Sequence, residues 1–154
     1  MPIEPLRDFL NQRNARYLVI QHSPAYTAQE IAQASHVPGG VFAKTLLICL
    51  DDEPALVALP APRRLDLPAL ASAVGVARAE LAEESDMRRL FPGADPGALP
   101  PFGHLFGLRT LVSRELAGHR EIAFNAGSRT EVMVLLWADY VQLARPELID
   151  LPAE

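Results

Sequence analysis

The chain has 154 residues, 49% of them apolar and 21% charged, a composition that suits one folded domain spanning residues 1–154 and excludes a disordered chain. Its net charge of −5 argues against broad, sequence-independent binding of nucleic acid, which needs a basic stripe. The single cysteine, Cys49, excludes an internal disulfide and a cysteine-cluster metal site; with no apolar run of membrane-spanning length and no signal-peptide pattern, a cytoplasmic protein is expected.

Leu6, Phe9 and Leu10 fall at helical spacing, so Pro5 to Asn14 reads as a short amphipathic helix. Tyr17 to Ile20 reads as a strand, broken by His22-Ser23-Pro24. Thr27 followed by Glu30 has the form of a capping box, opening a helix that Pro38-Gly39-Gly40 ends. Phe42 to Leu50 is the most apolar run and reads as a strand. A polar turn, Asp51-Asp52-Glu53-Pro54, returns it through a second strand, Ala55 to Leu59, with Pro54 either in the loop or at the strand start. Asp66, Pro68 and Gly75 then supply the cap, the first-turn proline and the stop of a helix. Val76 to Leu81 is a weak strand, and Glu84 to Phe91 a helix ended by Pro92-Gly93.

The Gly/Pro-rich stretch from Pro92 to Gly107 carries Leu99, Phe102, Leu105 and Phe106, bulk that a solvated linker does not need, so it reads as a structured loop. Leu108 to Val112 is a strand, and Ser113 caps a single turn ended by Gly118. Glu121 to Phe124 and Thr130 to Leu136 are strands joined by the turn Asn125-Ala126-Gly127-Ser128. Trp137 to Ala144 is a terminal helix stopped by Pro146. Two hairpin-like pairs, 42–59 and 121–136, rule against a purely parallel sheet. The expected fold is α+β, a single domain with a mixed, curved, barrel-like sheet and helices packed around it.

Of the 14 basic residues, 13 are arginine; Lys44 is the only lysine, and it interrupts the apolar strand with Phe42 and Leu46 on its own face. Lysine differs from arginine as a compact ammonium whose pKa burial can lower. Two readings stand open: a strand lysine that lays its stem on apolar surface with its head in water, or a functional cation. His22, His36, His104 and His119 show no metal-ligand spacing, and there is no esterase elbow, phosphate loop or dinucleotide fingerprint, so no metal and no cofactor are expected. Gly97-x-x-x-Pro101 followed by Gly103 is either an ordinary loop or one whose backbone N–H groups approach a ligand. In the turn after Phe124, Asn125 and Ser128 either satisfy the turn itself or offer a donor and an acceptor to a bound polar group.

Five stretches together resemble the YbaK family of aminoacyl-tRNA deacylases, the prolyl-tRNA synthetase-associated editing domain. They are H-S-P-A-Y-T-A-Q-E-I-A from His22, V-P-G-G-V-F-A-K-T from Val37, L-P-A-P-R-R-L-D from Leu59, G-A-L-P-P-F-G from Gly97 and F-N-A-G-S from Phe124, in family order. The resemblance implies a freestanding trans-editing enzyme. It would hydrolyse the ester of a small misattached amino acid (alanine, serine, threonine or cysteine) on tRNA such as that for proline. The partner would be the acceptor end of aminoacylated tRNA, with an aminoacyl-tRNA synthetase as a further partner and no membrane. The family's signature lysine falls on Lys44 and its glycine–proline loop on Gly97 and Pro101, while its pocket-lining residues match Tyr26 and Thr27. Gly127 belongs to the late turn. Phe42, Leu99 and Phe102 would exclude larger side chains.

One position departs from the pattern. Many relatives carry histidine after the late Gly-Ser or Gly-Thr, and here the residue is Arg129. A guanidinium cannot act as a base at neutral pH. Either that histidine is not essential to the chemistry or this member takes a different substrate; Arg129 is then suited to a tRNA phosphate. Two further hypotheses compete with the deacylase: a non-catalytic module of the same fold that binds a tRNA end or a nucleotide, and an esterase or amidase acting on small molecules.

Overall fold

In a computed structural model of the chain, residues 4–22 and 40–151 are described. The helix expected from Thr27 lies outside them, as do Tyr26 and Thr27 themselves. The strands are β1 (Leu18–Gln21), β2 (Phe42–Leu50), β3 (Glu53–Pro60), β4 (Ala79–Leu81), β5 (Arg109–Ser113), β6 (Glu121–Asn125), β7 (Glu131–Leu136) and β8 (Glu147–Ile149). The helices among the described residues are α1 (Glu4–Gln12), α2 (Leu67–Val74), α3 (Glu84–Leu90) and α4 (Trp137–Ala144). The strands form one mixed sheet in the order β1-β7-β6-β2-β3-β5-β8, with β4 against β2. The α+β class expected from the two hairpins is the class observed: β2–β3 and β6–β7 are antiparallel, while β2–β6, β3–β5 and β5–β8 are parallel.

Local chemistry explains several elements directly. The Asp66 carboxylate accepts the Ala69 N–H at 3.0 Å, Pro68 sits in the first turn, and Gly75 ends α2 with φ of 76°. The hairpin turn is tighter than the sequence suggests. Leu50 pairs with Glu53, so only Asp51 and Asp52 turn, with φ of 47° and 71°. Aspartate tolerates that left-handed region, and a two-residue turn of this kind matches the strand twist. Asp51 also takes the N–H groups of Ala77 and Arg78 at 3.1 and 2.8 Å, which holds its carboxyl below the usual range. Strand β8 has no counterpart in the sequence reading, which stopped at Pro146.

Alternation along the strands sorts the core into two faces. On one, Ala43, Ala58, Val112, Ile122, Phe124, Met133 and Leu135 meet Leu6 and Leu10 of α1 and Tyr140 and Ala144 of α4. On the other, Phe42, Ala61, Ala123 and Val132 form one cluster, and Ile48, Leu50, Ala55, Val57 and Leu111 form a second that packs on Leu70 of α2. The loop before β5 is sewn to the first face. The Tyr140 hydroxyl donates to the Pro101 carbonyl at 2.7 Å, and the Phe102 ring stands 5.4 Å from that of Tyr140 and 5.5 Å from that of Phe124. Burial pushes the Tyr140 phenol above its ordinary range, so it stays a donor.

Tyr140→Phe keeps the ring and removes this donor, leaving the Pro101 carbonyl buried without it. Urea unfolding of the variant should show a loss of about 1–3 kcal/mol with an unchanged slope.

Candidate functional site

Strand β2 changes partners along one edge. Strand β3 pairs with its other edge from Ala43 to Leu50. On the first edge, β6 runs parallel to it only through Phe42↔Ala123 and Ala43↔Phe124, and β4 takes over from Ile48 to Leu50. Between them the Leu47 carbonyl accepts the Ala82 N–H at 3.0 Å. The parallel strands β2 and β6 therefore part after Ala43 and Phe124. Lys44 and Asn125 are the next residue of each, so the fork opens between them.

Lys44 is half-buried and shares its face with Phe42, which is fully buried against Ala61, Ala123 and Val132. Opposite it stands Leu59 of β3. The chain then turns: the Ala61 N–H donates to the Phe42 carbonyl and the Arg63 N–H to the Pro60 carbonyl, each at 2.9 Å. This reversal carries Arg64 back toward Lys44. Burial first, and the Arg64 charge second, hold the lysine below its ordinary range. The two arginines of the doublet differ. Arg63 pairs with Glu115 at 3.1 Å, whereas Arg64 is exposed and enters none of the ion pairs found among the described residues.

The two weak motifs of the sequence meet in space. The Asp95 N–H donates to the Gly127 carbonyl at 2.9 Å, and the Asp95 carboxylate accepts the Arg129 N–H at 3.2 Å. The Arg129 guanidinium lies over Gly97, where a Cβ would fall 2.8 Å from Nη1. Gly127 has φ of 100°, a conformation that suits glycine. The turn is closed from within: the Ala126 N–H donates to the Glu131 carbonyl at 3.2 Å, and the Ser128 hydroxyl donates to the buried Glu131 carboxylate at 3.2 Å.

Other expected site residues are engaged in packing. Leu99 is buried with Leu47, Leu56 and Phe91, and Phe102 sits in the aromatic cluster under α4, both on the face away from Lys44. The Gly103 N–H donates to the Thr110 hydroxyl at 2.8 Å, and a Cβ there would lie 2.7 Å from the Leu108 carbonyl oxygen. Pro101 is held by Tyr140. Sequence reasoning missed Arg64, Asp95 and Tyr140 as members or supports of the site. The doublet Arg63-Arg64 was visible, but which arginine reaches Lys44 depends on Glu115 in a distant turn. No activated nucleophile replaces the missing base at Cys49, since burial and then the Asp86, Asp52 and Glu80 charges push its thiol up. No group of three or more histidine, cysteine, aspartate or glutamate side chains among the described residues is arranged to hold a metal ion. Cavities of about 510 and 420 Å³ lie at the β2–β3 hairpin end and between α1 and α4; neither is lined by Lys44.

The family described as the aminoacyl-tRNA editing domain matches residues 22–143. The multifunctional Ser/Thr-tRNA deacylase ProXp-y of Escherichia coli K12 is 33% identical over 147 residues, covering 92% of this chain and 87% of the relative; its counterpart in Escherichia coli O157:H7 matches equally. Among solved structures, a candidate trans-editing enzyme for prolyl-tRNA synthetase superposes with a TM-score of 0.82 at 24% identity, covering 97% of this chain and 96% of that one. A protein of unassigned function gives 0.83 at 18% identity, covering 96% and 99%. These two structures share the fold. The chain belongs to the aminoacyl-tRNA editing domain family.

Proposed function

We propose that residues 1–154 act as one freestanding editing domain that hydrolyses the ester between a small, misattached amino acid and the terminal ribose of tRNA. The observation that carries this reading is the half-buried Lys44 at the fork of β2 and β6, in a chain of the aminoacyl-tRNA editing family. Water attacks the acyl carbon, the carbon–oxygen bond to the ribose breaks, and the ribose hydroxyl leaves with a proton. The described fork offers cations rather than a base. A lysine ammonium in a partly dry site stabilises the developing oxyanion or grips the terminal phosphate, and Arg64 adds a second charge for the same polyanion. A hydroxyl of the terminal ribose would then assist the water. The buried Phe42 ring floors the lysine's face and limits the acyl group to small side chains.

The named activity of the Escherichia coli relative makes seryl and threonyl esters the first to test, ahead of alanyl and cysteinyl, with tRNA for proline among the carriers. Partners in this reading are the acceptor end and an aminoacyl-tRNA synthetase, and the setting is the cytoplasm, where aminoacyl-tRNA is made. Among the described residues no helix is long and apolar enough to cross a membrane. A binding module without turnover is the competing reading, favoured by Arg129 at the position where many relatives have histidine.

Incubation with tRNA charged with each of these amino acids should release at least one, and Lys44→Ala should abolish that release. Lys44→Arg should also lower kcat by tenfold or more, about 1.4 kcal/mol, because the larger fork is aimed differently. No release from any pair, or full activity in the alanine variant, removes the reading. The cationic lysine is the working form, so the enzyme-dependent rate should fall as pH rises through its depressed pKa. That alkaline limb should lie below the ordinary lysine range and disappear in Lys44→Arg.

A phosphate contact by Arg64 predicts a second outcome. Arg64→Gln should raise KM several-fold with little change in kcat and reduce the slope of log KM against log salt by about 0.7. Arg63→Gln, which breaks only the pair with Glu115, should leave the slope alone.

A further inference from the structure

Asn125 closes β6, and its backbone pairs with Val132 of β7. The residue is 3% exposed, and its side-chain oxygen is buried without a hydrogen-bond partner. Such a group costs stability and calls for an explanation. An asparagine at the start of a turn ordinarily spends that oxygen on a backbone N–H of the turn. Here the turn is closed by other groups, the Ala126 N–H and the Ser128 hydroxyl, both on Glu131. The turn therefore does not account for the amide oxygen.

Position supplies an account. Ala43↔Phe124 is the last pair between β2 and β6, so Lys44 and Asn125 stand side by side where the strands part. Alternation places both on the face of Phe42 and Ala123. Thr45, whose hydroxyl is also buried without a partner, belongs to the opposite face. Lys44 and Arg64 suit the anionic parts of an aminoacylated tRNA end, and neither can accept a hydrogen bond. The donor that every aminoacyl group shares, whatever its side chain, is the α-amine, which donates whether neutral or protonated. An amide oxygen accepts from both forms. A carboxylate in its place would pair with Lys44 and cancel its charge.

We infer that Asn125 accepts a hydrogen bond from the α-amino group of the substrate and makes the fork selective for acyl groups that carry a free amine. This rests on the deacylase reading above. The selectivity is separate from exclusion by size, which acts on the side chain.

The test uses the whole protein and two esters of one tRNA: seryl, and the amine-free 3-hydroxypropionyl counterpart. The ratio of kcat/KM values is taken for each enzyme, so differences in ester reactivity cancel between enzymes and general damage lowers both rates together. Wild type should prefer the seryl ester. Asn125→Leu, of similar size with no acceptor, should reduce that preference by roughly tenfold or more. Asn125→Asp keeps an acceptor; it should lower both rates and retain the preference. If the leucine variant does not fold, Asn125→Ala takes its place. An unchanged ratio in the leucine or alanine variant overturns the inference, as does an aspartate variant that loses the preference as they do. If wild type hydrolyses neither ester nor any other charged tRNA, the deacylase reading falls and this inference with it. If wild type is active and the ratio does not move, only the role of Asn125 falls.

Discussion

Everything at the candidate site depends on the exchange of partners along one edge of β2. Because β6 leaves after two pairs and β4 arrives only at Ile48, the edge of β2 from Lys44 to Leu46 has no strand partner on that side. The same exchange puts a lysine and an asparagine at adjacent strand positions with no β-ladder beyond them. Half-burial then does the electrostatic work. It lowers the cost of holding an anion beside the ammonium, since water competes less for both, and its price is a lysine easier to deprotonate.

The loop from Asp95 to Phe102 is supported from both ends. At one end Asp95 ties it to Gly127 and Arg129, and Arg129 in turn lies over Gly97. At the other end Tyr140 holds Pro101 from the core, with Phe102 packed beside it. Substitutions at Tyr140 and at Asp95 therefore act on one segment, and their effects should couple rather than add. Such support is what a loop needs if its backbone is to present fixed N–H groups.

Much of the fold is readable from local chemistry. The Asp66–Pro68–Gly75 helix and the two hairpins are each encoded within a few residues. In the β2–β3 hairpin the sequence leaves Pro54 either in the loop or at the strand start; it pairs with Cys49 at the start of β3, and the turn narrows to Asp51-Asp52. Strand β8 escaped notice because three residues have no period, and its partner β5 is a distant part of the chain. At the site, composition alone singled out Lys44. The distinction between Arg63 and Arg64 was not readable, since a glutamate 52 residues away from Arg63 decides it. Nor was the unpartnered amide oxygen of Asn125, because an asparagine in a turn is ordinarily explained by the turn.

A sole lysine offers a direct measurement. With lysine labelled at ¹³Cε the protein gives one side-chain resonance, from Lys44. Its pH titration should report a pKa below the ordinary lysine range, and the resonance should shift when a non-hydrolysable amide analogue of seryl-adenosine or an uncharged tRNA acceptor stem is added. A lysine that titrates in its ordinary range and does not respond to either ligand would contradict the account.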